Sequence, residues 1–570
     1  MKKPSLKAPS LKKPSFDKRG KSFDDLGDAA EPVAAKPAGP RPSAAGGPRT
    51  GVSLLAAAAV LAAVFGIAEL RSPAAPGSLG NAGRTTSAQV ERTAVVCPAP
   101  LQGVTGNTDL TMFTPAGAAA SGGSATLTDV AGQSGAPSDS ASAPAAPSGS
   151  PSASPSSSAA AASAASAAPG GARLSLSKAG VPATGAAASG DTPPGTAAVA
   201  TGAYAPGFTV SQTTTVTDAR TAGLSGLRCG PSGTDFWFAG ASTASSRTDY
   251  VNLVNADTAP AVVDVKFFGD KGQIDVDAAT GLTVAPGSTQ SLRLSSLVKD
   301  QVTDLAVEVV ARSGRVGAAL HAIDEGKGAD YVPTAGAPAP TQVLPGLPAD
   351  AASTRLVVAA PGADDADLKI QVSGKNGWFT PAGHETIHVK AGMIAAVDLG
   401  NVTRNEVGAL RLSPSDPAHP TPVVAGLRID RTQNGKSDAA WIANSAPVGK
   451  RASIADNRAG ASTLYLTSTG DAATVRVTAS AGSGGGTPAS KEVQIAAGAT
   501  VSLPAPEPGG LNGVFGLTVE TVSGGPVVAA RMLAVNTKDV PMFTVQSLTD
   551  DHSIVQVPHA AQDPGVLNRP

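Results

Sequence analysis

The sequence has little of the residue types on which most catalytic and sugar-binding sites depend. Aromatic residues make up 3% of the 570 positions, with only 3 Trp, and the chain has 6 His and 2 Cys. Sugar-binding faces usually offer aromatic rings for stacking, so this scarcity weakens a glycan-binding function. Six histidines also leave few candidates for a general base, since histidine has that role most often.

An excess of charge of one sign is also missing. The 43 Lys and Arg against 44 Asp and Glu leave a formal net charge of −1. A nucleic-acid-binding protein needs a basic face that neutralises phosphates, so we expect no nucleic acid partner. The sequence contains no G-x-S-x-G elbow, no Walker loop and no G-x-G-x-x-G between a strand and a helix. We therefore predict that the protein is not an enzyme and needs no cofactor.

Glycine and proline, in contrast, are abundant. The chain has 65 Gly and 47 Pro, whereas average usage is about 7% Gly and 5% Pro. This excess fits loop-rich β domains joined by linkers, and it argues against a compact helical enzyme.

The N-terminal segment predicts a membrane anchor. Residues 1–50 contain 11 Lys or Arg and 5 Asp or Glu, a composition that predicts a disordered basic tail in the cytoplasm. Residues 51–70 include an uncharged stretch that predicts a transmembrane signal-anchor helix, with a cleaved signal peptide as the alternative. Residues 71–89 are predicted to be a linker. Because the basic excess precedes the apolar stretch, we expect a single-pass protein of the cell membrane, with a cytoplasmic N-terminus and an extracellular remainder.

Both cysteines follow this segment. An even count outside the cytosol favours one disulfide between Cys97 and Cys229. A C-x-x-C zinc site would need a second pair of ligands, which the chain does not have, so we expect no metal site here. Between the cysteines, residues 116–171 consist almost entirely of Ala, Ser, Gly, Pro and Thr. This composition predicts a flexible low-complexity insertion that buries no core.

The remaining chain contains a threefold repeat. Each copy has a segment with strict alternation of apolar and polar residues, which is typical of a half-buried strand; the three segments are 263–267, 368–372 and 475–479. About twenty residues later each copy has a glycine in a pattern that predicts a tight turn with positive φ; the three are Gly287, Gly392 and Gly498. Each copy closes with a strand of small and branched residues, at 316–320, 423–427 and 527–531.

The repeat length and strand number predict the architecture. About 105 residues with six or seven short strands is the size of an immunoglobulin-like β-sandwich, and a β-propeller-like arrangement is the alternative. We therefore predict a mostly β chain of tandem sandwiches. The predicted regions are a degenerate first β domain at 90–245, three repeats at 246–345, 350–450 and 455–550, and a C-terminal tail at 551–570.

Several motifs together resemble a known family. They are 95–98 (V-V-C-P), 229–231 (C-G-P) and 235–238 (D-F-W-F), followed by Ala-rich V-x-V strands and A-G turns. Over about residues 90–550 the chain resembles an actinobacterial family of secreted or membrane-anchored proteins with a domain of unknown function. The resemblance implies an envelope setting in a Gram-positive, high-GC bacterium. It implies no activity and no functional residues.

Three motifs resemble catalytic or metal-binding patterns but are weak evidence for such sites. Residues 384–388 read H-E-x-x-H, but they align with strand and turn segments of the other repeats. On a strand the two histidines would lie about 13 Å apart, too far to share one ion, and Glu406 is the only nearby carboxylate candidate. S-x-x-K at 175–178 lacks its companion motifs. Asp364, Asp365 and Asp367 predict a polar hairpin tip, with a calcium site as the alternative.

The three tryptophans complete the candidates. Trp237 and Trp441 fall in closing strands and are predicted to lie in the core, whereas Trp378 falls in a predicted hairpin loop and is a possible ligand contact. We expect a non-catalytic binding or scaffolding protein of the cell envelope, which presents strand edges and loops to a protein partner. The alternatives are a cell-wall glycan-binding protein, with Trp378 as the contact, and an envelope hydrolase whose site the sequence does not display. The oligomeric state is not indicated.

Overall fold

The computed structural model describes residues 85–117, 121–132, 172–190, 192–537 and 540–558. Within these residues, 39 β-strands account for nearly all regular structure. Helical structure there is confined to one α-helical turn, α1 (Leu294–Leu297), and two 3₁₀ turns, Gly202–Tyr204 and Asp277–Ala279. The prediction of a mostly β protein is confirmed.

Apart from β1 (Thr85–Gln89), β5 (Ala131–Gly132) and β39 (Ile554–Pro558), the strands fall into four groups along the chain. Each group forms two sheets, and we call each such pair of sheets a module. Module 1 contains β2 (Arg92–Cys97), β3 (Gly106–Phe113), β4 (Ala125–Asp129), β6 (Leu174–Ser175), β7 (Ala183–Ala186), β8 (Thr196–Thr201), β9 (Thr209–Val216) and β10 (Gly223–Arg228). Module 2 contains β11 (Asp235–Ala241), β12 (Arg247–Asn255), β13 (Ala261–Gly269), β14 (Gly272–Ile274), β15 (Leu282–Val284), β16 (Ser288–Arg293), β17 (Leu305–Ser313), β18 (Gly317–Asp324) and β19 (Gly328–Val332).

The other two modules are also built from short strands. Module 3 contains β20 (Gln342–Leu347), β21 (Ser353–Ala360), β22 (Ala366–Gly374), β23 (Gly377–Phe379), β24 (Thr386–Val389), β25 (Met393–Asp398), β26 (Gly408–Pro414), β27 (Val424–Gln433) and β28 (Lys436–Ala443). Module 4 contains β29 (Arg451–Asn457), β30 (Ser462–Ser468), β31 (Ala473–Gly482), β32 (Gly485–Thr487), β33 (Ala489–Ile495), β34 (Thr500–Pro504), β35 (Gly509–Asn512), β36 (Phe515–Gly524), β37 (Val527–Thr537) and β38 (Val540–Leu548).

One strand order recurs in all four modules. In one sheet of each module the last strand of the module lies at an edge, in the orders β10-β9-β3-β7, β19-β18-β12-β16, β28-β27-β21-β25 and β38-β37-β30-β34. In the other sheet the first strand of the module lies at the edge, in the orders β2-β8-β4-β6, β11-β17-β13-β14, β20-β26-β22-β23 and β29-β36-β31-β32. The alternating segments of the sequence form β13, β22 and β31, equivalent strands of three modules. The degenerate N-terminal copy therefore has the same topology as the three clearer repeats.

The predicted turn glycines have the predicted backbone. Gly287, Gly392 and Gly498 have φ values of 56°, 69° and 67°, a region that residues with a Cβ rarely adopt. Each lies in the turn before β16, β25 or β34. This part of the repeat prediction is confirmed.

The modules are packed against one another through shared apolar cores. Trp441 of module 3 lies in the core of module 2, and Phe543 of module 4 lies in the core of module 3. Leu224 of module 1 packs with Leu533 of module 4, and Val216 of module 1 packs with Tyr331 of module 2. The four last strands make contacts in a cycle, β10 with β19, β19 with β28, β28 with β38 and β38 with β10. The modules therefore surround a common axis along which these four strands lie.

The predicted low-complexity insertion at 116–171 differs from the expectation near its start. Residues 125–129 form β4, which pairs with β8, and Ala125 and Leu127 are fully buried. The short segment Ala-Thr-Leu-Thr-Asp alternates apolar and polar residues, so it can supply one strand to a sheet although the surrounding composition cannot form a core. Residues 133–171 lie outside the described part of the chain.

The predicted membrane topology is corrected. In the described ranges no helix is long and apolar enough to cross a membrane, so the prediction of a single-pass membrane protein with an extracellular bulk is contradicted. The predicted tail at 1–50 and the predicted anchor at 51–70 lie outside the described residues, as does the linker at 71–89 up to residue 84. Residues 85–89 of that linker form β1, which pairs with β39 near the C-terminus.

Candidate functional site

One cavity lies where the four last strands end. It has a volume of about 520 Å³, within the range that small-molecule sites have. Its wall contains the C-terminal residues of the four strands, together with β2 and residues 549–552. We call this cavity the axial pocket. A second cavity of about 330 Å³ adjoins it between modules 1 and 2, with Leu227, Arg228 and Pro231 in both walls.

A buried carboxyl group lies directly beneath the axial pocket. Asp330 of β19 accepts hydrogen bonds from the backbone N–H groups of Gly226 and Tyr331, both at 2.8 Å. Burial raises the pKa of Asp330 well above its ordinary value, and these backbone hydrogen bonds only partly oppose that effect. Gly226 and Tyr331 line the pocket, so this carboxyl group joins modules 1 and 2 at the pocket floor.

A second buried carboxyl group lies further along the axis. Asp438 of β28 accepts hydrogen bonds from the backbone N–H of Leu224 at 3.1 Å and of Phe543 at 2.8 Å. Burial raises its pKa well above the ordinary value, and the nearby Asp330 raises it further. Asp438 thus connects module 3 to modules 1 and 4. Both aspartates use their oxygens to hold the last strands together.

The pocket wall contains two polar side chains that bear on its chemistry, Gln546 and Arg228. Gln546 of β38 is 7% exposed, and its Nε2 donates to the Thr544 hydroxyl at 2.9 Å, while its Oε1 has no hydrogen-bond partner. Arg228 donates from Nη1 to the Thr549 hydroxyl at 2.9 Å and from Nε to the Thr209 hydroxyl at 3.3 Å. Burial lowers the pKa of Arg228, and the charges of Asp551 and Asp550 oppose this effect.

The predicted disulfide forms one side of the pocket. Cys97 and Cys229 are bonded, with their Cα atoms 4.7 Å apart, so this prediction is confirmed. The bond joins the end of β2 to the residue after β10, and the backbone N–H of Val96 donates to the Gly230 carbonyl at 2.7 Å beside it. The disulfide therefore fixes the segment that carries Arg228.

The predicted ligand contact Trp378 is not among the residues that line this pocket. It is half-buried on β23, the Arg411 guanidinium lies over its ring at 4.2 Å, and Gly498 of module 4 adjoins its edge. One ring face is thus already occupied, and a glycan contact at Trp378 stays a prediction.

Trp237 and Trp441 are 4% and 1% exposed, which confirms their prediction as core residues.

The weak motifs lie in strands and turns of module 3. The last three residues of the H-E-x-x-H motif, 386–388, lie in β24, and the first two precede it, so the prediction of a strand and turn segment is confirmed. His388 lies 2.8 Å from Asp367 through Nδ1, and the Asp365 carboxylate accepts the backbone N–H of Ala391 at 2.8 Å. The described ranges contain no group of three or more residues suited to hold a metal ion. Glu406 pairs with Lys375 at 2.7 Å.

Sequence reasoning missed the axial pocket. Its wall comes from segments more than a hundred residues apart in places, and no local motif joins Arg228, Asn444 and Gln546. The one local signal was the C-G-P segment, because Arg228 immediately precedes Cys229.

The fold and the pocket define a class: an all-β protein whose four two-sheet modules surround an axial cavity. The chain matches the profile of a family of unknown function, DUF5719, over residues 181–506. It therefore belongs to that family, and the predicted resemblance to a family of unknown function is confirmed to this extent. It has no significant match among curated proteins.

Proposed function

We propose that this protein is a non-catalytic binding protein whose ligand occupies the axial pocket. The observation that carries the proposal is the cavity of about 520 Å³ at the ends of four strands from four modules. Ligand pockets are typically mostly apolar with a few placed polar groups. Here Phe208 and Val545 supply apolar surface, while Arg228, Asn444 and Gln546 supply polar groups.

A binding role agrees with the chemistry of the groups beside the pocket. The two aspartates on the axis accept hydrogen bonds from backbone N–H groups of neighbouring modules, so their oxygens have a structural role in holding the last strands together. Arg228, Asn444 and Gln546 offer hydrogen bonds and charge, which orient a ligand. The sequence predicted a protein partner at strand edges; a concave pocket of this volume favours a small ligand instead.

The architecture that we infer for this function is a set of four immunoglobulin-like sandwiches. Each module has two sheets of mainly antiparallel strands, as sandwiches have. The cyclic contacts of the last strands also resemble the way propeller blades surround an axis, which keeps the propeller-like alternative open. An actinobacterial origin is part of the same proposal.

Ligand-observed NMR with a library of small soluble molecules tests the proposed site. Ser547 lines the pocket and is only partly buried, so Ser547→Trp fills the cavity with little disturbance of the core. The matched control is Ser523→Trp, at an exposed position on β36. We expect some library members to bind the wild type and Ser523→Trp but not Ser547→Trp. Binding that Ser547→Trp leaves unchanged, or no binding at all, would contradict the proposal.

A further inference from the structure

Arg228 is partly buried and, like Arg531 but unlike Arg247 and Arg458, forms no ion pair with a carboxylate in the described part of the chain. The Arg247 guanidinium pairs with the Asp249 carboxylate at 2.8 Å, and Arg458 pairs with Asp456 at 2.9 Å. Arg531 donates to the backbone carbonyl of Asp456 at 3.1 Å. Arg228 has two neutral hydroxyl acceptors, and in the described part of the chain no carboxylate forms an ion pair with it. A partly buried cation with no carboxylate in direct contact lacks the stabilisation of an ion pair, and an anionic ligand would supply it.

The carboxylates that line the same pocket are already engaged. Asp551 accepts from Arg451 at 2.6 Å and from the Ser453 hydroxyl at 3.2 Å. Asp550 accepts the backbone N–H of His552 at 2.7 Å and of Lys450 at 3.2 Å. Neither is therefore placed to neutralise Arg228 by direct contact.

Part of the remaining wall is apolar and includes an exposed hydrophobic side chain. Val555 of β39 is 40% exposed and borders the pocket together with Val90, Phe208 and Val545. The pocket thus presents apolar surface beside polar groups. Two guanidinium groups line it, those of the exposed Arg92 and the partly buried Arg228, and Arg228 donates only two of its five N–H groups to the hydroxyls of Thr209 and Thr549.

We propose that the axial pocket binds a small organic oxyanion with a short apolar body. The oxyanion accepts hydrogen bonds from Arg228, its apolar body lies against Phe208, Val545 and Val555, and a polar hydrogen of the ligand can reach Gln546 Oε1. This inference rests on the proposed function and names the ligand class for the same site. Charge-assisted pairing of a guanidinium with an oxyanion is stronger and more directional than a neutral hydrogen bond.

Titration of the whole protein with hexanoate, hexanamide and hexyl phosphate, followed by ligand-observed NMR, tests the inference. Hexanoate and hexanamide differ in charge and little in shape, and hexyl phosphate distinguishes a carboxylate from a phosphate as the oxyanion. We expect one of the two anions to bind at least about tenfold more tightly than hexanamide, a difference of about 1.4 kcal/mol.

Two variants connect this preference to Arg228. In Arg228→Gln the anion should lose its advantage over hexanamide, and Arg228→Lys should retain part of it. The matched control is Arg411→Gln, which removes a partly buried arginine that also has no carboxylate partner, its Nη2 donating to Gln371 at 2.7 Å. Arg411→Gln should leave the preference unchanged.

The outcomes separate this inference from the proposed function. Equal binding of anion and amide, abolished by Ser547→Trp, would overturn the oxyanion inference and leave the pocket as the ligand site. Anion binding that survives Arg228→Gln or Ser547→Trp would overturn the inference as well, as would the absence of anion binding. If Arg228→Gln fails to fold, the preference of the wild type for anion over amide, together with its loss in Ser547→Trp, still decides the question.

Discussion

At the scale of single residues, burial disfavours the charged form of several ionisable groups on or beside the axis. Asp330 and Asp438 both have a pKa well above the ordinary value, mainly because burial disfavours the charged carboxylate. His321, which stacks on Tyr331 with ring centroids 5.3 Å apart, has its pKa lowered to about 3 by burial and by the charge of Arg247. Near neutral pH His321 is therefore uncharged in the folded protein, where an exposed histidine would be partly charged.

The raised pKa of Asp330 predicts a pH dependence of stability. The folded state binds the proton more tightly than the unfolded state, so this group contributes most stability below about pH 4 and loses it as pH rises through the raised pKa. We expect the free energy of unfolding of wild type relative to Asp330→Asn to fall with rising pH, with a slope of up to about 1.4 kcal/mol per pH unit. Urea denaturation between pH 4 and 8 measures this difference.

A control and a contrary outcome complete that prediction. Asp275→Asn, at an exposed position of module 2, should give a stability difference with much less pH dependence. A wild-type advantage over Asp330→Asn that grows with rising pH would show that Asp330 is stabilised as the carboxylate.

At the scale of elements, the turn before the sixth strand is the same in three modules, but its surroundings differ. A Cβ added at Gly392 meets nothing within 4 Å, whereas one added at Gly498 would lie 2.7 Å from Cδ1 of Trp378. Gly498 also accepts a hydrogen bond from the Ser373 hydroxyl at 2.8 Å. The same turn therefore has open space beside its glycine in module 3 and makes an inter-module contact in module 4.

This difference predicts unequal effects of the same substitution. Gly392→Ala should cost about 1–2 kcal/mol, the price of a positive φ for a residue with a Cβ. Gly498→Ala should cost about 1–3 kcal/mol more, because its methyl group overpacks against Trp378. Chemical denaturation of both variants measures the difference, and equal losses would show that Trp378 moves freely.

The disulfide acts on the same scale. Cys97 and Cys229 are 132 residues apart in sequence, and a cross-link over so long a loop lowers the entropy of the unfolded chain. We expect Cys97→Ser with Cys229→Ser to lower the free energy of unfolding by about 2–5 kcal/mol. Denaturation of the double variant and of the wild type without reductant measures the loss, and unchanged stability would contradict it.

At the scale of the whole molecule, the shared cores make the modules interdependent. The core of module 3 includes Tyr465, Phe543 and Val545 of module 4, and Trp441 of module 3 completes the core of module 2. A fragment cut at the predicted boundaries 350–450 would expose apolar surface that the whole chain buries. Burial of one large apolar side chain stabilises the folded state by about 1.5–3 kcal/mol. The loss of several such contacts therefore exceeds the free energy of unfolding that a small module has.

We therefore expect the fragment 350–450 not to fold by itself and the whole chain to unfold in one cooperative transition. Near-ultraviolet circular dichroism of the fragment and calorimetry of the whole protein measure these two properties. A fragment with fixed tertiary structure, or separate calorimetric transitions for the modules, would show that the domains predicted from the sequence are independent.

The sequence by itself determined the local features of this protein. Period-2 alternation predicted the strands at 263–267, 368–372 and 475–479, the glycine pattern predicted the turns with positive φ, and the two cysteines predicted the disulfide, because each depends on a few neighbouring residues or on a simple count. Only the tertiary structure decided that β4 would enter a sheet, that Asp330 and Asp438 would become buried on an axis, and that Arg228 would face a pocket. These features come from contacts between residues far apart in the chain. The alternation of side chains in a single sequence specifies which face of a strand is buried, but it does not specify which module covers that face.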